Sequence, residues 1–569
     1  MGEGIRAAKS KWWLAVVGLA ILLAGAFLAQ SIRTVDGVTV RDIRFAGAKG
    51  AQMSALLYVP ANATPTAKAP GILAVHGYIN SRETQDGFAI EFARRGYVVL
   101  SIDQRGHGYS DGPAFADGFG GPDALAYLRS LPMVDTAQIG LEGHSMGGWT
   151  VLAAAAAMPD AYSSIVLQGS STGAPFAKDG TPSWPRNLAL VFSKYDEFSQ
   201  IMWGVDRAMD VNNSAKLQAV FGTKAPVAEG KLYGQIADGT ARVLYQPATT
   251  HPGDHISPAA IGHATDWFAR TLKGGTPRPA SDQIWHWKEF GTGIGLIGFV
   301  MILLGTFDAL VRLPFFASLQ AVAVPALEKR DAKYWRAFAL NTALPALLFF
   351  PTFIFAYLLL TPSVVLPQAV TTQITLWALT GAGLSLLIAR FRGGIPVGPQ
   401  SDWLHAGLIA IATVAIGYAA LVLTDRVFHT DIRFWVVAVK LPSLGQLGIA
   451  AIYVVPLTLA FLVTLRTLSA MTVQGDGTLK RYASAILTLT TGFMVLLGAI
   501  YGLFFATGTL FTAFDPLSTV IALQFVPVLA AIAVIGVFTW ARTGSHRASG
   551  LIVGILVTLY AVAGTATQV

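Results

Sequence analysis

Apolar and polar positions divide this chain of 569 residues near residue 280. Beyond that point the apolar runs are long and the loops between them short. The runs lie near 290–311, 338–360, 369–389, 404–424, 446–465, 483–506, 518–541 and 550–567. Each approaches the roughly 20 residues a helix needs to cross the hydrocarbon of a bilayer, so this half predicts eight spanning helices. A further run, 12–29, follows Arg6, Lys9 and Lys11. A basic stretch before an apolar one fits a cleaved signal peptide, with Ala24-Gly25-Ala26 at the cleavage site, or an uncleaved anchor. Its length and its leading pair of tryptophans favour the anchor.

Between these regions the pattern changes. Residues 41–45 and 53–59 read as a hairpin. The runs 71–75, 97–102, 139–142, 164–167, 188–192 and 242–245 are apolar without alternation, as strands buried on both faces are. Stretches 84–95, 123–131, 149–157 and 259–272 read as helices, and Gly96 stops the first. Strands alternating with helices predict a mostly parallel sheet covered on both faces. The Gly/Pro-rich stretch 273–279 marks the boundary. The expected organisation is an anchor at 1–32, a sheet domain at 33–275, a linker at 276–289 and a membrane domain at 290–569.

Composition agrees and adds an orientation. Apolar residues make up 53% and charged residues 13%, against about 25% charged in soluble proteins. The chain has no cysteine, which excludes disulfides, a thiol nucleophile and thiolate metal sites. With the N-terminus inside, fifteen Lys and Arg fall in loops assigned to the inside, among them Arg312, Arg330, Arg392 and Arg542. The short loops assigned to the outside carry only Arg426, Arg433 and Lys440. The positive-inside rule then puts the N-terminus in the cytoplasm and the sheet domain and C-terminus outside it. It also accounts for the net charge of +8 without nucleic acid. The span middles carry few ionisable residues; Asp308 and His405 lie near ends, and Pro345, Pro351 and Pro456 stand inside spans. The spans read as an anchor, as an interface for a homo-oligomer, or as a groove presenting lipid-like substrate.

The candidate chemistry sits at strand ends, where ligands bind in such sheets. Gly143-His144-Ser145-Met146-Gly147 joins a predicted strand to an alanine-rich helix. G-x-S-x-G in that context is a nucleophile elbow: a sharp turn exposes the serine, and its neighbours approach so closely that glycine is required. Two more motifs stand at strand ends, His76-Gly77-Tyr78 and Asp103-Gln104-Arg105-Gly106-His107-Gly108-Tyr109-Ser110.

With these motifs in this order, residues 40–273 resemble the α/β-hydrolase superfamily. The fold class implied is an α/β-hydrolase fold, a mostly parallel sheet with helices on both faces, joined to an all-α multi-span domain. The resemblance implies the order serine, acid, histidine. Ser145 is then the nucleophile, Asp196 the acid and His255 the base, with His251 as the second choice. The implied oxyanion hole is the backbone N–H groups of Tyr78 and Met146. Glu197 is expected to be solvated and Asp135 to end a turn. His76, His107 and Arg105 are expected to order loops and His144 to pack under the elbow, and Ile201, Met202 and Trp203 to form the core of a short cap, with the lining of an acyl pocket as the alternative. His251, Asp254, His255 and His263 match no standard zinc spacing. The implied protein is an extracytoplasmic, multi-pass serine hydrolase of the cell membrane. It cleaves an ester or thioester, as a carboxylesterase or lipase does, without a cofactor. A peptidase, an acyltransferase, or a transporter or receptor with a vestigial hydrolase domain are the alternatives. Its expected partners are the bilayer and a small or lipid-like ester, not nucleic acid.

Overall fold

The computed structural model describes residues 12–391, 394–395 and 402–569. Arg6, Lys9, Lys11 and Arg392, counted above, lie outside the described residues. Helix α1 (Trp13–Arg33) leads into an eight-stranded sheet. Strands β1 (Thr39–Ala46) and β2 (Gln52–Val59) form the expected hairpin. They are followed by β3 (Ala69–Val75), helix α2 (Asp86–Arg94), β4 (Val98–Asp103), α3 (Gly121–Ser130), β5 (Val134–His144) and α4 (Met146–Ala157). Next come β6 (Ser164–Gln168), β7 (Leu188–Val191), the short α5 (Ser199–Trp203) and α6 (Ala215–Phe221), β8 (Arg242–Tyr245) and α7 (Pro258–Thr271). The strand order is β1-β2-β4-β3-β5-β6-β7-β8. The hairpin is antiparallel to β4, and every pairing from β4 to β8 is parallel.

Apolar runs without alternation occur here because both faces of the sheet are covered. Successive side chains of a strand point to opposite faces. Leu73, Val75, Leu100 and Ile102 pack with α3 and α4 through Leu125, Leu128 and Val151. Their neighbours Ile72, Ala74 and Val99 pack with α2 and α7 through Phe88, Phe92 and Phe268.

The second domain comprises α8 (Trp285–Val311), α9 (Ala332–Leu359), α10 (Ala369–Phe391) and α11 (Trp403–Phe428), then α12 (Leu444–Ser469), α13 (Thr478–Thr507), α14 (Pro516–Thr543) and α15 (Arg547–Gly564). With α1, these make nine helices among the described residues that are long and apolar enough to cross a membrane. Helix α8 starts at Trp285, inside the stretch expected to be linker, because the chain turns directly from α7 into the bundle. A small hairpin, β9 (Ile432–Phe434) and β10 (Val437–Val439), follows α11. Helices α1 and α8 pack at backbone distance. A Cβ at Gly25 would stand 2.3 Å from the Gly291 carbonyl oxygen, and one at Gly298 would stand 2.6 Å from that of Gly18.

The two ends of the bundle differ. At one, its loops bind each other: Arg330 makes a two-pronged ion pair with Asp476 at 2.7 Å, and Asp308 pairs with Arg312 at 3.1 Å and with Arg542. The other end meets the sheet domain.

Candidate active site

Strand β5 runs into His144 and α4 begins at Met146, leaving Ser145 alone in the turn. Its backbone has φ 55° and ψ −121°, a region that costs a non-glycine residue about 1–3 kcal/mol and persists only where the surroundings impose it. They do so here. The Ser145 N–H donates to the Gln168 carbonyl at 2.8 Å, and its own carbonyl accepts from Gly148 N–H at 2.9 Å. A Cβ at Gly147 would lie 2.1 Å from the Val75 carbonyl oxygen, so no other residue fits. Ser145 is half-buried among buried neighbours, at the positive end of the α4 dipole.

Asp196 follows β7 and is fully buried. One carboxylate oxygen accepts the Phe198 N–H at 2.8 Å; the other lies 2.8 Å from His251 Nδ1. The pair nests against Gly169 (φ 51°), where a Cβ would stand 2.9 Å from His251 Nδ1 and 3.0 Å from Asp196 Oδ2. The acid thus engages His251, and the expectation that it engages His255 is corrected. Residues Pro252–Ile256 form a 3₁₀ turn, which carries the His255 ring behind the elbow. There it lies 4.0 Å from the His144 ring, and among the described residues neither of its nitrogens has a hydrogen-bond partner. The spacing to α7 alone did not reveal that turn.

Glu197 is also corrected, from solvated to buried, at 2% exposure. One of its oxygens accepts the backbone N–H of His251 and the other the hydroxyl of Tyr501 on α13, each at 2.8 Å. Burial, and then the neighbouring Asp196, push its pKa up to about 8. Burial lowers the His251 pKa to about 3 and raises that of Asp196. Beneath the elbow Glu142 is fully buried, accepts only the Gln85 amide, and is raised by burial to about 8.

Among the described residues, no backbone bond of the folded chain engages the N–H of Tyr78 or of Met146. Both are therefore free to meet a ligand. His76 Nε2 accepts the Gln104 N–H at 3.2 Å, His107 Nε2 accepts that of Ile79 at 3.3 Å, and Arg105 binds Asp117 at 3.0 Å. The Asp135 carboxylate caps a turn at Ala137 N–H. Met202 and Trp203 are buried in the cap, and Ile201 is exposed. Phe115, itself stacked on Tyr78, meets Phe176, which packs on Trp149. This aromatic wall stands beside the elbow, and Phe115 and Phe176 are exposed. The described residues include no acidic or histidine cluster able to hold a metal ion.

The helical domain closes over the same strand ends. Trp435, in the turn between β9 and β10, donates its indole N–H to the Pro252 carbonyl at 2.8 Å. Arg433 binds the Ser81 hydroxyl at 2.8 Å, that of Thr84, and the carboxylates of Asp431 and Glu83. Thr567, near the C-terminus, exchanges backbone bonds of 2.8 Å with Gly106 and Ala114. Arg33 and Lys288 converge on Asp86 at 3.7 and 3.0 Å. The buried Lys440 ammonium is lowered to about 8 by burial and by the nearby Arg433.

Residues 70–201 match the family model described as alpha/beta hydrolase fold, and residues 12–120 match that described as acetyl xylan esterase. No curated protein matches the chain. Among solved structures, the α/β hydrolase GrgF from Penicillium sp. sh18 shares 21% identity over 28% of this chain and 50% of its own, with a TM-score of 0.21. The Pyrococcus furiosus esterase Pf2001 shares 16% over 41% and 94%, with a TM-score of 0.30. The dienelactone hydrolase-like promiscuous phosphotriesterase P91 from metagenomic libraries shares 13% over 41% and 99%, also with a TM-score of 0.30. The chain thus spans half of the first of these proteins and nearly all of the other two.

Proposed function

We propose that this α/β-hydrolase domain is a serine hydrolase that cleaves carboxylic esters or thioesters at a membrane surface. One observation carries the reading: a serine strained into an elbow directly follows His144, whose ring hydrogen-bonds the carbonyl of His251, and His251 is itself paired with the buried Asp196. Asp196 accepts from Nδ1–H of His251 and so leaves the lone pair on Nε2, burial keeps the resting ring neutral, and the Asp196 carboxylate stabilises the imidazolium once it forms. Nε2 takes the Ser145 proton as Oγ attacks the acyl carbonyl. The N–H groups of Tyr78 and Met146 receive the oxyanion. Collapse of the tetrahedral adduct expels the alcohol or thiol, which leaves with the proton from Nε2, and an acyl-Ser145 remains. Water, deprotonated by the same nitrogen, releases the acid. None of these steps calls for a cofactor.

The family matches support an ester-hydrolysing enzyme. Nine apolar helices support a multi-pass membrane protein. The sheet domain adjoins the bundle end poor in basic residues, which supports an extracytoplasmic site. The exposed aromatic wall beside the elbow, with the helical domain bound to the same strand-end loops, favours an amphipathic or lipid-like ester. A membrane-impermeant fluorophosphonate applied to intact cells tests the whole reading. Labelling is expected on the native chain and absent from Ser145→Ala. Labelling only after permeabilisation overturns the orientation, and no labelling even then overturns the enzyme.

A further inference from the structure

We propose that the helical domain supplies a positioning residue to the hydrolase, Tyr501, which holds His251 in register through Glu197. This rests on His251 being the base. Asp196 fixes the ring at Nδ1, but the direction of Nε2 also depends on the backbone that bears the ring. That backbone is held at three points: its N–H by Glu197, its carbonyl by His144 Nε2 at 2.9 Å, and the next carbonyl, that of Pro252, by Trp435. Two of the three holds lead into the helical domain.

Glu197 is the joint. It is buried, and among the described residues no lysine or arginine pairs with it. A buried carboxyl group without a cation depends on its hydrogen-bond partners, and the His251 N–H and the Tyr501 hydroxyl each meet one of its oxygens at 2.8 Å. Loss of the hydroxyl strands one oxygen in a dry site, and the carboxyl group must turn to find another partner. That turn loosens its grip on His251. The acid loop is braced on the same helix, since the Tyr195 ring packs edge-on against Phe505 and Phe504 with centroids 5.1 and 6.0 Å away. A shift of α13 against the hydrolase therefore reaches both the acid and the base.

A mere fastening between domains would make the same contact, and kinetics separates the two roles. On the full chain in detergent, with p-nitrophenyl butyrate as probe, Tyr501→Phe should lower kcat roughly tenfold to a hundredfold, the scale expected for a misplaced catalytic group, with KM unchanged. Glu197→Ala, which removes both contacts, should lose a similar factor, and the double variant no more than Glu197→Ala alone, because one path is cut twice. Trp435→Phe should lower kcat in the same direction by a smaller factor. A kcat within twofold of native for Tyr501→Phe overturns the proposal, as does an additive loss in the double variant. A native chain whose Ser145 takes no fluorophosphonate overturns the hydrolase reading instead.

Discussion

The two ends of the helical domain solve the same electrostatic problem with different partners. At the end remote from the hydrolase, Arg330 meets Asp476 and Asp308 meets Arg312 and Arg542, all within the bundle. At the hydrolase end the partners cross the boundary: Arg433 with Glu83, Lys288 with Asp86, and Tyr501 with Glu197. A bundle that served only as an anchor would have no reason to bury charge against its cargo. Ion pairs that leave water gain little net stability, because desolvation offsets their attraction. What they fix is relative position, since removing either partner is costly. The contrast teaches that the hydrolase end is built for alignment and the remote end for self-closure.

The largest effect that would break this contrast concerns the histidines. His251→Ala should reduce kcat by about three to six orders of magnitude, as removal of a triad member does. His255→Ala, behind the elbow, should cost far less. Equal losses, measured on ester hydrolysis, would put the base elsewhere. Next in size is the pair of ends itself. Arg433→Met leaves Glu83 and Asp431 without their shared cation and should cost about 3–5 kcal/mol, read as a fall in the thermal midpoint. Arg312→Met, on a 30% exposed side chain, should cost about 0–1 kcal/mol. Equal shifts would erase the distinction between the ends. A pH-dependent test lies under the elbow. The Glu142 carboxyl is raised by burial from its usual 4.5 to about 8. The stability it contributes is full below pH 4.5 and is lost as pH rises through about 8. Glu142→Gln should remove this loss, so its thermal midpoint should gain on the native one as pH goes from 4.5 to 8. Parallel curves across that range would mean the carboxyl is not held protonated.

Much of the sheet domain was legible because its signals are local. A run such as 71–75 can bury both faces only in a covered sheet, and G-x-S-x-G between strand and helix has few other uses. The failures came where distant chain decides the environment. Glu197 reads as solvated until Tyr501, some 300 residues later, is brought over it. The hairpin after α11 has three-residue strands, too short for a periodic signal, and Trp435 gains its partner only from the hydrolase. Spacing to the next helix favours His255 over His251 only while the 3₁₀ turn Pro252–Ile256 is left out. One signal went unused: Gly18 and Gly25 in α1, and Gly291, Gly298 and Gly305 in α8, recur every seven residues, which marks two helices meeting along one seam.

That seam does for this chain what a disulfide does in others. Helix α1 ends at Arg33 and α8 begins at Trp285, so their contact ties together the two ends of the entire hydrolase domain. When that domain unfolds while the seam holds, it becomes a closed loop of roughly 250 residues rather than a free chain. Closing such a loop withdraws about 5 kcal/mol of conformational freedom from the unfolded ensemble. A protein with no cysteine thereby carries a noncovalent crosslink across its enzyme, one whose strength is set by the smallness of glycine.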